Sequence, residues 1–262
     1  MITYGRRQFL VDILRKQPGL RIPELAKTLD VSEGTVRNDL NALEAEGRLK
    51  RVHGGAVLND QDQFQNNSFS LRFHQNPAAK LAIAREAAFL IQDGDSILLD
   101  ASSTCYYLAR ALSERKKLRV MTNGFEVARE LAQNSSNTVI LIGGIVNNDS
   151  SSVTGLLSEH IIEELHIQKA FVSCSGFSLE RGMTEVHLAE AQLKRKAIES
   201  AQQVIALIDS TKFGEEDLTS FARSENITRL FTDVGLSQGW IEKLKQAGMR
   251  FTICEEEAIS NT

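Results

Sequence analysis

Two groups of residues in this chain have the types and spacing to do chemistry. The first lies in Ser32-Glu-Gly-Thr35-Val-Arg37-Asn38-Asp-Leu-Asn41. On a helix, Asn38 and Asn41 fall on one side with Gly34, and Thr35 and Arg37 flank them. Arg can hydrogen-bond guanine bidentately, Asn can do the same for adenine, and Thr can reach a phosphate or a thymine methyl. The amides that open such a helix suit a further phosphate. The second group is a series of polar and Gly-rich clusters. They are Asp100-Ala-Ser102-Ser103-Thr104, Thr122-Asn123-Gly124, Gly143-Gly144, Ser173–Gly176 and Asp209-Ser-Thr-Lys212-Phe-Gly214. Hydroxyls, backbone amides and an ammonium are groups that hold an anion such as phosphate.

The elements that must position the first group are three short helices. Phe9, Leu10, Ile13 and Leu14 make an apolar stripe that Pro18-Gly19 ends, and Ile22, Leu25, Ala26 and Leu29 make a second. Asp30-Val31-Ser32 is then a very short turn, and Ser32 is a good N-cap for a third helix with Val36, Leu40 and Leu43 inward. That is helix-turn-helix geometry. The run Arg48-Leu-Lys50-Arg51-Val-His53-Gly-Gly-Ala-Val57 alternates polar and apolar around a Gly-Gly turn. It reads as a two-stranded wing whose basic residues can meet a nucleic-acid backbone. Candidate DNA contacts are therefore Ser32, Thr35, Arg37, Asn38, Asn41, Arg48, Lys50, Arg51 and His53.

The second group needs a different frame. Apolar runs at Ser96–Leu99, Arg119–Thr122, Thr138–Ile142, Lys169–Val172, Val204–Ile208, Arg229–Phe231 and Arg250–Ile253 alternate with amphipathic segments. Such alternation predicts an α/β domain with a largely parallel sheet, buried on both faces. Ligands bind outside the carboxyl ends of such strands, where these clusters fall. Candidate ligand contacts are Asp100, Ser102, Ser103, Thr104, Asn123, Gly124, Gly143, Gly144, Gly176, Asp209 and Lys212. The expected organisation is a DNA-binding domain over 1–58, a Gln/Asn-rich linker over 59–76 and a larger domain over 77–262.

Composition is consistent with this division. Residues 1–58 carry ten Lys/Arg and seven Asp/Glu, and the other 204 carry 20 and 27, so a small basic head joins an acidic body. No apolar run is long enough to cross a bilayer, and the N-terminus lacks a signal peptide's apolar core. A cytoplasmic location is expected. Cys105, Cys174 and Cys254 are widely separated, and the five His residues have no metal-ligand spacing, so no metal or cofactor is expected.

The stretch Ile22-Pro-Glu-Leu-Ala…Val31-Ser-Glu-Gly-Thr-Val-Arg-Asn-Asp-Leu…Gly47…Leu49-Lys-Arg-Val-His-Gly-Gly-Ala resembles the DNA-binding domain of the DeoR family of bacterial sugar-metabolism regulators. Leu99-Asp-Ala-Ser-Ser-Thr104, Thr122-Asn-Gly124, Ile142-Gly-Gly144, Gly176…Gly182-Met-Thr184 and Asp209-Ser-Thr-Lys-Phe-Gly214 resemble its effector-binding module. The family usually has two adjacent Arg residues where this chain has Arg37-Asn38, Gly in place of Ser102, and Ser in place of Gly124. The resemblance implies a winged helix-turn-helix followed by an α/β domain similar to ribose-5-phosphate isomerase and glucosamine-6-phosphate deaminase. It implies a homo-oligomeric regulator, usually a repressor, of a carbohydrate catabolic operon. Its expected partners are operator DNA and a phosphorylated sugar. An enzyme on the same fold would need an acid–base pair, for which Asp100, Glu190, Asp209 and Lys212 are candidates. Simpler roles compete: Asp209 can cap the turn after it, and Glu190 can pair with Lys194 one turn along a helix. No catalytic role is expected.

Overall fold

The computed structural model describes residues 3–17, 19–45, 48–52, 55–58 and 69–255. The chain folds as two compact units, Met1–Gln75 and Asn76–Thr262.

In the first unit, helices α1 (Thr3–Lys16), α2 (Ile22–Leu29) and α3 (Glu33–Ala45) precede the antiparallel strands β1 (Leu49–Val52) and β2 (Gly55–Leu58). Leu10, Val11, Leu14, Leu25, Val36, Leu40, Leu43, Leu49 and Ala56 make one core, so the stripes read along the helices do meet. Asp30 ends α2 in the left-handed conformation at φ 52°, and the Ser32 hydroxyl accepts from the Thr35 amide at 3.1 Å to start α3. Gly55 lets the wing close on the helices: a Cβ there would stand 2.6 Å from the Leu20 carbonyl oxygen. The segment read as a linker carries a helix, α4 (Phe69–His74), and the His74 ring lies 4.4 Å from Phe9 of α1. Residues 59–68 of that segment lie outside the described residues.

Asp39 is a charged side chain on the inner face of α3, 2% exposed. It takes hydrogen bonds from Arg6 Nε at 2.5 Å and Arg7 Nε at 3.2 Å, tying α3 to α1. The Arg6 pKa is raised, chiefly by this hydrogen bond. Replacing Asp39 with Ala leaves two guanidinium groups over an apolar seam. The variant should unfold with a loss of about 1–3 kcal/mol, read from urea denaturation of the full chain by circular dichroism. A loss below about 0.5 kcal/mol would mean that water replaces the carboxylate at no cost.

The second unit is doubly wound. After α5 (Pro77–Ala88) come β3 (Ser96–Leu99), α6 (Ser103–Ala111), β4 (Arg119–Thr122), α7 (Phe125–Leu131) and β5 (Thr138–Leu141). A hairpin of β6 (Ile145–Asn147) and β7 (Ser152–Thr154) leads to α8 (Leu156–Glu163) and β8 (Ile167–Val172). Then follow β9 (Gly176–Ser178), β10 (Gly182–Glu185), α9 (Leu188–Glu199), β11 (Ala201–Leu207), β12 (Thr219–Ala222), β13 (Arg229–Asp233), α10 (Gln238–Gln246) and β14 (Phe251–Cys254). Seven strands form one parallel sheet in the order β14-β13-β11-β8-β3-β4-β5. These are the seven runs read from the sequence. The order reverses between β3 and β8, which makes their carboxyl ends the crevice of the sheet. The hairpin and a second, antiparallel sheet ordered β12-β10-β9 are additions that the apolar runs did not announce. No helix among the described residues is long and apolar enough to cross a membrane.

Candidate DNA interface and strand-end site

The outer side of α3 is built as the spacing predicted. Arg37, Asn38 and Asn41 are exposed, while Val36, Asp39 and Leu40 alongside them in sequence are buried. Arg37 holds Glu33 at 2.7 Å, an exposed i,i+4 pair that contributes little by itself. The Asn38 side chain makes no hydrogen bond among the described residues. Asn41 is already engaged: Arg51 of the wing donates to its Oδ1 at 2.6 Å, and the Arg51 amide donates to Glu44 at 2.8 Å. These bonds set the wing against the recognition helix, and the buried Arg51 Nε keeps no partner among the described residues. Lys50 is exposed on β1 of the wing. Ser32 and Thr35 share a hydroxyl–hydroxyl contact of 2.9 Å. Arg48 is half-buried, and His53 lies outside the described residues.

The strand-end site is organised by Asp100, 2% exposed at the end of β3. Its Oδ1 accepts from the Ser102 amide at 2.9 Å and its Oδ2 from the Ser173 amide at 2.9 Å, so one carboxylate joins the loops after β3 and β8. Ser102 then caps α6, its hydroxyl accepting from the Cys105 amide at 3.1 Å. The hydroxyls of Ser103 and Thr104, both buried, make no hydrogen bond among the described residues. Asn123 and Gly124 sit beside them. A Cβ on Gly124 would stand 2.8 Å from the Ala101 Cα, so the loops after β3 and β4 touch only because that side chain is absent.

Lys194 of α9 completes the floor. Its ammonium donates to Glu185 at 2.7 Å and the Ser173 carbonyl at 2.9 Å, and lies 3.2 Å from Asp100. Burial opposes the charge, but Glu185, Asp100 and Glu190 outweigh it and raise the Lys194 pKa. The simple i,i+4 pair of Glu190 with Lys194 is therefore not what forms. Glu190, 5% exposed, accepts instead from Ser150 at 3.1 Å, from Ser152 and from Asn123 at 3.4 Å.

The remaining candidates separate. Asp209 caps the turn after β11, accepting from the Thr211 amide and hydroxyl and, at 3.2 Å, from Asn76. Lys212 in that turn is half-buried and forms no ion pair among the described residues. Its charge reaches inward, acting through space on Cys174 beyond β8 and on Asp217. Gly176 is a close-approach glycine: a Cβ would stand 2.3 Å from the Glu215 carbonyl oxygen. Gly143 and Gly144 lie exposed at the end of the edge strand β5, the Gly143 carbonyl accepting from Ser158 at 2.7 Å. Glu185, Ser150 and Ser152 went unread, and Lys194 was read only as the helix partner of Glu190, because their actual partners come from other elements. No cluster of metal-ligating side chains occurs among the described residues.

Head and sheet together define a winged helix-turn-helix protein with an α/β sensor unit. The family model for the DeoR-like helix-turn-helix domain matches residues 6–62, and that for the DeoR C terminal sensor domain matches residues 75–234. The HTH-type transcriptional regulator GolR of Listeria innocua is 39% identical over 256 residues, 97% of this chain and all of that protein. The lactose phosphotransferase system repressor of Streptococcus mutans is 34% identical over 230 residues, covering 87% of this chain and 91% of its own. A ribose 5-phosphate isomerase A from Methanocaldococcus jannaschii superposes with a TM-score of 0.38 at 19% identity, covering 53% of this chain and 55% of that one. The chain belongs to the DeoR family of DNA-binding transcriptional regulators.

Proposed function

We propose that this regulator is a repressor of a carbohydrate catabolic operon and that a phosphorylated sugar releases it from its operator. The observation that carries the reading is the strand-end site. The start of α6 offers the unengaged hydroxyls of Ser103 and Thr104, and the half-buried Lys212 carries a cation with no ion-pair partner among the described residues. Free donors at a helix N-terminus suit a phosphate dianion, and Lys212, in the turn after β11 at the same carboxyl edge of the sheet, adds a cation. Asn123 and Glu190 supply the acceptors and donors that a polyhydroxyl chain needs. Gly124 lets the loops after β3 and β4 close beside it. Asp100 and Asp209 act as positioning groups, each already saturated by amides and hydroxyls. With no free acid–base pair at this site among the described residues, we assign the protein binding and no turnover. The lactose repressor among its relatives fits a carbohydrate role.

Signal transfer starts at Asn76, the first residue of the sensor unit. Its side chain donates to Asp209 and, at 3.3 Å, to Thr211, so a ligand that moves the Asp209–Lys212 turn also moves the entry of the chain. The coupling then changes operator affinity. The protein acts in the cytoplasm as a homo-oligomer with operator DNA as its partner, Arg37, Asn38 and Thr35 reading bases or adjacent phosphates.

The test is a thermal-shift screen with ribose 5-phosphate, glucosamine 6-phosphate and other sugar phosphates beside their unphosphorylated parents. A ligand at a hundred times its Kd should stabilise the native state by about 2.7 kcal/mol. Lys212→Ala should abolish that shift without changing the unliganded melt. If no sugar phosphate shifts the wild-type melt, the effector reading fails and the second unit is an assembly body.

A further inference from the structure

The face of the sheet that carries α8 and α9 is left unfinished at its β5 edge. Leu98, Met121 and Ile140 stand opposite one another in register across β3, β4 and β5. Leu98, Met121 and Ile142 are buried there under Ile162 of α8 and Leu193 and Ala197 of α9, but Ile140 is exposed. No helix among the described residues covers it.

The orientation of α8 explains which side chains border the gap. Ser158 and Ile162 face the sheet, and Glu163 reaches Lys196 of α9 at 2.6 Å, which fixes the flank turned to α9. Leu157 and Ile161, one turn apart, lie on the opposite flank toward β5. Leu157 is 72% exposed and Leu156 83%. The hairpin adds Ile145 and Val146, 73% and 54% exposed, and the Ile145 side chain comes within 3.5 Å of the Cβ position at Gly155, beside Leu156.

We infer that α8, β5 and the β6–β7 hairpin form the interface with a second copy of this chain. Leu156, Leu157, Ile161, Ile140, Ile145 and Val146 are the side chains it would cover. Three observations select the occupant. The exposed side chains are all aliphatic and lie on adjoining elements, the kind of apolar patch that marks a protein contact. Residues 138–148 contain no charged residue, although residues 59–262 as a whole hold 27 acidic and 20 basic side chains. The uncharged β5 and hairpin half of the patch can meet its own copy without like-charge repulsion, while Glu159, Glu163 and Glu164, on or just after α8, carry the charge beside it. Among the described residues strand β5 also presents a free edge with no Lys, Pro or bulge to protect it, a feature proteins ordinarily cover.

The inference rests on the reading of the chain as a regulator that brings two recognition helices to one operator. Sedimentation velocity of the full chain tests it without DNA. Wild type should sediment as a dimer or larger species, and the double variant Leu157→Glu/Ile161→Glu as a monomer with an unchanged circular-dichroism spectrum and melt onset. Leu218→Glu, at a residue 76% exposed elsewhere, should leave assembly intact. A monomeric wild type, or a double variant that stays assembled, overturns the interface. Neither result touches the sensor reading, because the thermal shift with sugar phosphates is scored separately on the same preparations.

Discussion

Lys194→Met should destabilise the sensor unit by about 3–5 kcal/mol, the largest effect expected of any single substitution in this chain. The reason is arithmetic of charge in a buried place. Asp100, Glu185 and Glu190 are each at most 8% exposed, and Lys194 is the cation that bonds two of them. Its ammonium also lies 5.2 Å from the Phe221 ring, which rewards the cation further. Met matches the stem in volume, so packing survives and the loss reports charge. Removing the ammonium leaves two carboxylates facing each other out of water, and the Ser173 carbonyl loses its donor.

The pH dependence of that loss has a definite sign. Lys194 is raised in the folded state, so its contribution is complete below the unfolded Lys value and is lost only as pH climbs through the folded one. The deficit of Lys194→Met against wild type should thus stay flat between about pH 6 and pH 9. Adding Glu185→Gln to the variant should recover part of the loss, since it removes one of the stranded charges. A deficit under about 1 kcal/mol by urea denaturation would show that the carboxylates simply take up protons, and that Lys194 does not organise the crevice.

The same cluster marks where the sequence stops being legible. The central parallel strands were readable because strands buried on both faces must be continuous apolar runs, as Ser96–Leu99 and Val204–Leu207 are, while the edge strand β5 shows the same apolar run and is largely exposed. The Asp100–Thr104 and Asp209–Gly214 clusters were readable because turns after such strands need caps and glycines. Lys194 was not. On α9 it sits one turn from Glu190, the pattern of a solvated surface pair, and only the return of β10 brings Glu185 under it. The β6–β7 hairpin escaped for a related reason: strands of three residues have no period to detect. It nevertheless delivers Ser150 and Ser152 to Glu190. In the head, Asp39 reads as one more polar residue of the recognition helix, and its role depends on two arginines more than thirty residues away.

Operator binding should fall by about 1–3 kcal/mol in Arg37→Ala, that is by roughly one to two orders of magnitude in Kd. Arg37 is exposed on the outer face of α3, where its side chain is tied to Glu33. That tie is weak enough in water to be exchanged for a base edge or a phosphate. Lys50→Ala gives the contrast. A wing lysine that meets only phosphate should weaken operator and unrelated DNA alike, and lower the salt dependence by about one charge. The two variants therefore separate reading from holding. Titrations of the full chain against operator and scrambled duplex at two salt concentrations should show Arg37→Ala losing discrimination and Lys50→Ala keeping it. If Arg37→Ala leaves the ratio of the two affinities unchanged, sequence is read by Asn38 and Thr35 without it. In that event the exposed pair with Glu33 is all that Arg37 provides.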